Sequence, residues 1–188
     1  MTFFVFRGAK VHEWTFCDPI NNWIRKNSSN WLKETFCEVI KIRGNTMEQK
    51  SFDGCFGCGP DNECGLKATF RNMNDGGVEG FFTPQQHHCG YSDVVHVGPI
   101  TGFFSEVLGR LAFHRDQYYL TQSMNITFKC SVSPGIKLHA MARIKRYSKS
   151  HFTAEGGIYG PEGELIAAGE GRFVTMERAE AKKVVGKE

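Results

Sequence analysis

Residues 99–114 constrain this chain more than any other segment. Ile100, Phe103, Phe104, Val107, Leu108, Leu111 and Ala112 recur at the i, i+3, i+4, i+7 spacing of an amphipathic helix. Pro99 suits the first turn, so the spacing predicts a helix from about Pro99 to about His114. The apolar stripe is wide, so this helix has to be buried against a sheet. Candidate strands surround it. Lys67–Met73 and Val78–Thr83 precede it as a hairpin around the turn signal Asn74-Asp75-Gly76-Gly77. Tyr119–Cys130, Ile136–Tyr147, His151–Tyr159 and Leu165–Met176 follow it. Turn signals at Ser133-Pro134-Gly135, Ser148-Lys149-Ser150 and Gly160-Pro161-Glu162-Gly163 separate them. Segment Ser51–Leu66 reads as a Cys/Gly-rich loop and Pro84–Asp93 as a polar loop. The order β-β-α-β-β-β-β is an α+β arrangement with an antiparallel sheet around one helix.

Charge and composition divide the chain near Met47. Residues 1–46 hold seven Lys/Arg against four Asp/Glu and all three Trp, which accounts for the whole net charge of +3. The neutral remainder carries no nucleic-acid footprint. Two readings of residues 1–46 stay open: a real amphipathic extension, or sequence preceding a true start at Met47. Residues 47–176 form the expected domain, and residues 177–188 read as a charged, solvated tail. No apolar run reaches the roughly 18–20 residues of a membrane span. The Phe3-Phe4-Val5-Phe6 run is too short for a signal-peptide core. Seven Cys at uneven spacing, with no secretory signal, argue against a disulfide framework and for a reducing, cytoplasmic compartment.

Several residue groups carry possible chemistry. Cys55 and Cys58 have the C-x-x-C spacing that can chelate zinc. The second pair would come from Cys64 with Cys89, His87 or His88; free thiols in a turn are the alternative. His87-His88-Cys89-Gly90 and His96-Val97-Gly98-Pro99 lie just before the helix. Unpaired amides there, with the positive end of the helix dipole behind them, stabilise a polarised carbonyl or phosphate oxygen. A capping role for His96 is the plainer reading. Ser105-Glu106 lies two turns into the helix. A carboxylate beside an apolar stripe costs free energy unless paired or used; Glu106 is a base or nucleophile, or a solvated edge residue. Thr121, with Gln122 and Ser123, offers hydroxyls that can orient a water, or is a solvent-facing strand residue. Phe81, Phe82, Phe103, Phe104 and Tyr91 line an aromatic pocket or form core.

Together these residues resemble the hotdog-fold acyl-CoA thioesterases of the phenylacetic-acid-degradation type. The resemblance runs from about Cys55 to Met176. Cys55-Phe56-Gly57-Cys58-Gly59-Pro60-Asp61-Asn62, with Gly65-Leu66, looks like that family's CFxCGxxNPxGL segment. His88-x-Gly90 followed by Val95-His96-x-Gly98 looks like its HQGxxGxVHGG loop. Phe103–Gly109 fits its LLDExxG helix. Leu120-Thr121, then Phe128, Val132 and Gly135, fits its strand and YxxPVPxG turn. The resemblance implies a hotdog fold, a homodimer or homotetramer, an acyl-CoA substrate, no cofactor and no resident metal. It implies that the Val97 amide, with Gly98, His88 and Gly90 nearby, binds the thioester carbonyl. His96 fixes the loop and Thr121 assists water. Two places depart from the pattern. Val97 replaces the first Gly of HGG. Ser105 stands where the family has its catalytic Asp, with Glu106 one residue on and about 100° around the helix. Asn62-Glu63-Cys64 also replaces the usual Asn-Pro pair. Thioester hydrolysis with Glu106 as base is therefore the expected activity. Non-catalytic acyl-CoA binding is the alternative, motivated by Ser105, and a zinc-stapled interaction module is a third reading. A single unit of this length is expected to leave part of its helix exposed, which is the basis for expecting an oligomer.

Overall fold

The computed structural model describes Gln49, residues 51–176 and Ala181. The expectations for residues 1–46 and for a charged tail fall on residues outside this set.

The helix forms where the apolar period places it. Helix α1 spans Val97–Gly109 and begins two residues before Pro99, because His96 caps it: the ring accepts from the Gly98 amide. The segment does not continue as one α-helix to His114. Arg110–Arg115 winds as a tighter 3-10 turn and stops at Asp116 in a left-handed conformation, φ 52°. Ile100, Phe103, Phe104, Val107, Leu108 and Leu111 are all buried, so the described sheet covers the whole stripe. The first turn of the helix, at Val97 and Gly98, remains exposed.

Strands β1 (Thr69–Asn72) and β2 (Val78–Phe82) precede the helix, and β3 (Cys89–Tyr91) and β4 (Val94–Val95) make a small separate hairpin. That hairpin and a 3-10 turn at Gln86–His88 occupy the segment expected to be loop. After the helix come β5 (Tyr118–Phe128), β6 (Leu138–Tyr147), β7 (His151–Tyr159) and β8 (Leu165–Met176). The main sheet is antiparallel, in the order β1-β2-β6-β7-β8-β5. The chain leaves β2, passes through α1, starts again at the far edge as β5, and returns to fill the middle. The helix thus lies across a curved sheet whose two halves are made from both ends of the domain.

Aromatic rings fill the space between the layers. Phe103 packs against Phe70 and Phe82, with ring centroids 6.3 and 5.4 Å away. Phe152 and Phe173 stack at 4.9 Å. Phe82, Phe103 and Phe104 are therefore core, whereas Tyr91 stands 81% exposed. Gly80 on β2 allows the helix its close approach: a Cβ there would lie 2.8 Å from Val107 Cγ2 and 2.9 Å from the Phe70 ring. Among the described residues strand β5 pairs only with β8, and Leu120 and Phe128 on it are exposed.

Among the described cysteines, Cys55, Cys58, Cys64 and Cys89 carry free thiols. Cys130 is disulfide-bonded, so the expectation drawn from uneven spacing and no secretory signal does not hold at that position. No helix among the described residues is long and apolar enough to cross a membrane.

Replacing Gly80 with Ala is expected to cost about 1–3 kcal/mol, since the new methyl overpacks a buried contact. Urea denaturation of the two proteins measures this as a lower midpoint with an unchanged slope.

Candidate functional site

The start of α1 is organised by two histidines. His96 Nδ1 accepts from the Gly98 amide at 2.9 Å, and Pro99 has no N–H to offer. Among the described residues no acceptor meets the Val97 amide, so it is the free donor at the helix start, with the dipole behind it. Gly90 makes room for the capping ring: a Cβ at that position would lie 3.0 Å from His96 Cδ2. The His96 amide bonds the His88 carbonyl at 2.9 Å, and the Val95 amide bonds the Val132 carbonyl at 2.8 Å, which ties the loop to the 3-10 turn and to the segment between β5 and β6.

His88 is 7% exposed. Its Nδ1 accepts from the Gln85 amide at 2.9 Å, so the neutral ring carries its proton on Nε2. Burial, then the neighbouring His87, hold its pKa below the ordinary value and keep the ring neutral. Among the described residues Nε2 has no hydrogen-bond partner. Buried donors are normally satisfied, and a ligand oxygen would satisfy this one.

Farther along the helix, the two adjacent polar residues take different partners. Ser105 Oγ lies 3.2 Å from Thr121 Oγ1. The register of β5 on β8 shifts between Thr121 and Ser123, a bulge that re-aims the strand at this point. Glu106 is held elsewhere. Arg110 Nε donates to its Oε2 at 3.3 Å and the Tyr119 hydroxyl donates to its Oε1 at 3.3 Å. Burial, then the Glu106 charge, push the Tyr119 phenol well above its ordinary pKa, so it remains a donor. Arg110 is 1% exposed, sits 3.9 Å over the Phe70 ring and donates to Gln49 Oε1 at 3.3 Å. Gly109 admits the Tyr119 ring, since a Cβ there would lie 2.6 Å from Tyr119 Cδ2.

The structure thus gathers His88, Gly90, His96, Val97 and Gly98 at the helix start, and Ser105 with Thr121. It places Glu106 with Arg110 and Tyr119. Arg110 is legible in the sequence as the i+4 partner of Glu106. Tyr119 is not, because its approach depends on a glycine and on the path of β5. Of the cysteines considered for zinc, Cys55 and Cys58 meet Glu106 rather than Cys64 or Cys89. Cys64 is exposed.

No protein-family model and no curated protein matches the chain in sequence. Solved structures do match in fold. The PaaI protein of the Escherichia coli phenylacetic acid degradation operon shares 14% identity over 59% of this chain and 80% of its own, with a TM-score of 0.56. A thioesterase from Haemophilus influenzae shares 12% identity over 69% of this chain and 94% of its own, at 0.57. A hypothetical thioesterase from Streptococcus pneumoniae, solved with coenzyme A, shares 13% identity over 58% and 86%, at 0.55. The chain therefore has the hotdog fold of these thioesterases.

Two outcomes follow from this geometry. Gly109→Ala is expected to push Tyr119 off Glu106 and to lower stability by about 1–3 kcal/mol in urea denaturation. Stability should also fall at high pH. An unfolded tyrosine ionises near 10.0, while burial raises Tyr159 to about 12 and Tyr119 well above its ordinary value. Their contribution is complete below the unfolded value of 10.0 and is lost as pH rises toward the folded values. Thermal midpoints across that range, compared with Tyr119→Phe and Tyr159→Phe, measure the loss; the variants should flatten it.

Proposed function

We propose that this chain binds acyl-CoA thioesters at the start of α1 and holds them rather than hydrolysing them rapidly. The single observation that carries this reading is the pairing of Ser105 with Thr121 at 3.2 Å. In the resemblance that position belongs to a carboxylate, and two neutral hydroxyls make a poor base for water. The thioester carbonyl oxygen accepts from the Val97 amide, where the helix dipole stabilises partial negative charge. The His88 Nε2–H offers a second donor beside the same loop. The solved coenzyme A complex of a protein with this fold supports the ligand class.

Hydrolysis with Glu106 as base is the second reading, favoured by its 23% side-chain exposure. In that reading Glu106 releases Tyr119 or Arg110 to take a proton from water. The two readings share one ligand and differ in turnover. Both also fit a homo-oligomer. The eleven-residue strand β5 has a neighbouring strand on one side only among the described residues and exposes Leu120 and Phe128, and pairing with a second copy would extend the sheet there.

Calorimetric titration and a thiol-release assay with a panel of acyl-CoAs test the proposal. The expected result is binding with release at background, and a gain of about 100-fold in Ser105→Asp, which restores a carboxylate beside Thr121. Rapid release by the native chain that disappears in Glu106→Gln establishes the second reading. Absence of binding by any acyl-CoA refutes both.

A further inference from the structure

The Cys/Gly-rich loop before β1 is built more rigidly than a connection needs. The Cys55 amide bonds the Phe52 carbonyl at 2.9 Å and the Gly59 amide bonds the Cys55 carbonyl at 2.8 Å. The far end is tied by the Leu66 amide to the Phe56 carbonyl at 2.7 Å and the Ala68 amide to the Gly57 carbonyl at 3.0 Å. Lys67, at φ 56°, turns its Nζ back onto the Gly59 and Pro60 carbonyls. Both sulfurs of the C-x-x-C turn then accept backbone amides: Cys55 Sγ from Gly57 at 3.3 Å, and Cys58 Sγ from Phe52 at 3.4 Å. The Phe52 amide directed at the Cys58 sulfur favours its thiolate, because a charged acceptor makes the stronger bond. At Cys58 burial outweighs its amide and pushes the thiol up, so a thiolate there needs a cation beside it.

A carboxylate from the helix completes the cluster. The ligating atoms of Cys55, Cys58 and Glu106 all lie within 4.8 Å of one another. Glycine at 57 permits this, since a Cβ there would be 2.6 Å from Glu106 Cδ and 3.0 Å from its Oε2. A carboxylate has about four lone-pair positions. Arg110 and Tyr119 take two, one on each oxygen.

We propose that Cys55, Cys58 and Glu106 form a binding site for a divalent thiophilic metal ion, zinc in the first instance. The ion displaces one proton from each thiol, so two thiolates and a carboxylate face one dication and the Arg110 guanidinium. The cluster is neutral overall before and after, which avoids placing net charge in a half-buried pocket. Tetrahedral zinc, at about 2.3 Å from sulfur and about 2.0–2.2 Å from oxygen, needs the three ligating atoms to draw together by roughly 1 Å. Water takes the fourth position. Soft sulfur donors select zinc over magnesium or calcium. This site is separate from the Val97 amide and does not depend on acyl-CoA binding.

Metal content of the full chain, purified with a reductant and without chelator, tests the assignment. About one zinc per chain is expected, as for a thiolate site formed in the folded state. Added cobalt should give a thiolate-to-cobalt absorption band that zinc abolishes. Cys55→Ser and Cys58→Ser should lose the band, and Glu106→Gln should weaken cobalt binding by about tenfold or more. Cys64→Ser should leave both band and stoichiometry unchanged. Less than about 0.1 ion per chain, with no cobalt band from the native chain, overturns the proposal. A band that survives Cys55→Ser, or that Cys64→Ser abolishes, overturns this ligand set. The native-chain measurements decide the matter even where a cysteine variant does not fold.

Discussion

Burial of one face of α1 against a single curved sheet is the constraint on which the other features rest. Phe103, Phe104, Val107 and Leu108 are all at 0% exposure, and removing such side chains from water is the dominant favourable term in folding. That burial fixes the rotation of the helix. Once the apolar stripe faces the sheet, Ser105 and Glu106 have to flank it, and the helix start has to emerge beside the β3–β4 hairpin. The sheet accommodates the helix through glycine at Gly80 and through the order of its strands.

The rotation of the helix also divides the polar chemistry in two. Ser105 and Glu106 are adjacent in sequence but about 100° apart around the axis. One meets Thr121 on β5. The other meets Tyr119, two residues earlier on the same strand, together with Arg110 and the C-x-x-C turn. A carboxylate held by two donors and facing two thiols is suited to structure or to metal. A free amide at a helix start is suited to a carbonyl. The hotdog scaffold thus carries a free amide at the start of its helix and a separate acidic and thiol-rich cluster along its flank.

Much of the fold is legible in local periodicity. Strands β7 and β8 lie where alternation places them, and Asp75-Gly76 turns the first hairpin with Gly76 at φ 84°. The apolar pattern starts the helix two residues late, because Pro99 is conspicuous and the cap of His96 is not. The segment around Cys89 reads as loop because strands of three and two residues are too short to show alternation. At the candidate site, the motif order brings out His88, His96 and the Ser105-Glu106 pair. Their partners stay hidden, since Tyr119 and Cys55 approach Glu106 only through contacts between segments far apart in the chain.

The sequence by itself determined that one apolar helix would be wrapped by an antiparallel sheet, and which polar residues would flank it. Side-chain period is a local property, set by 3.6 residues per helical turn and by two per strand repeat. Only the tertiary structure decided what each flanking residue touches. Whether Glu106 faces water or Arg110 depends on packing, on Gly57 and Gly109 leaving space, and on the path of β5. Those distances are set by the whole sheet, and no single segment encodes them.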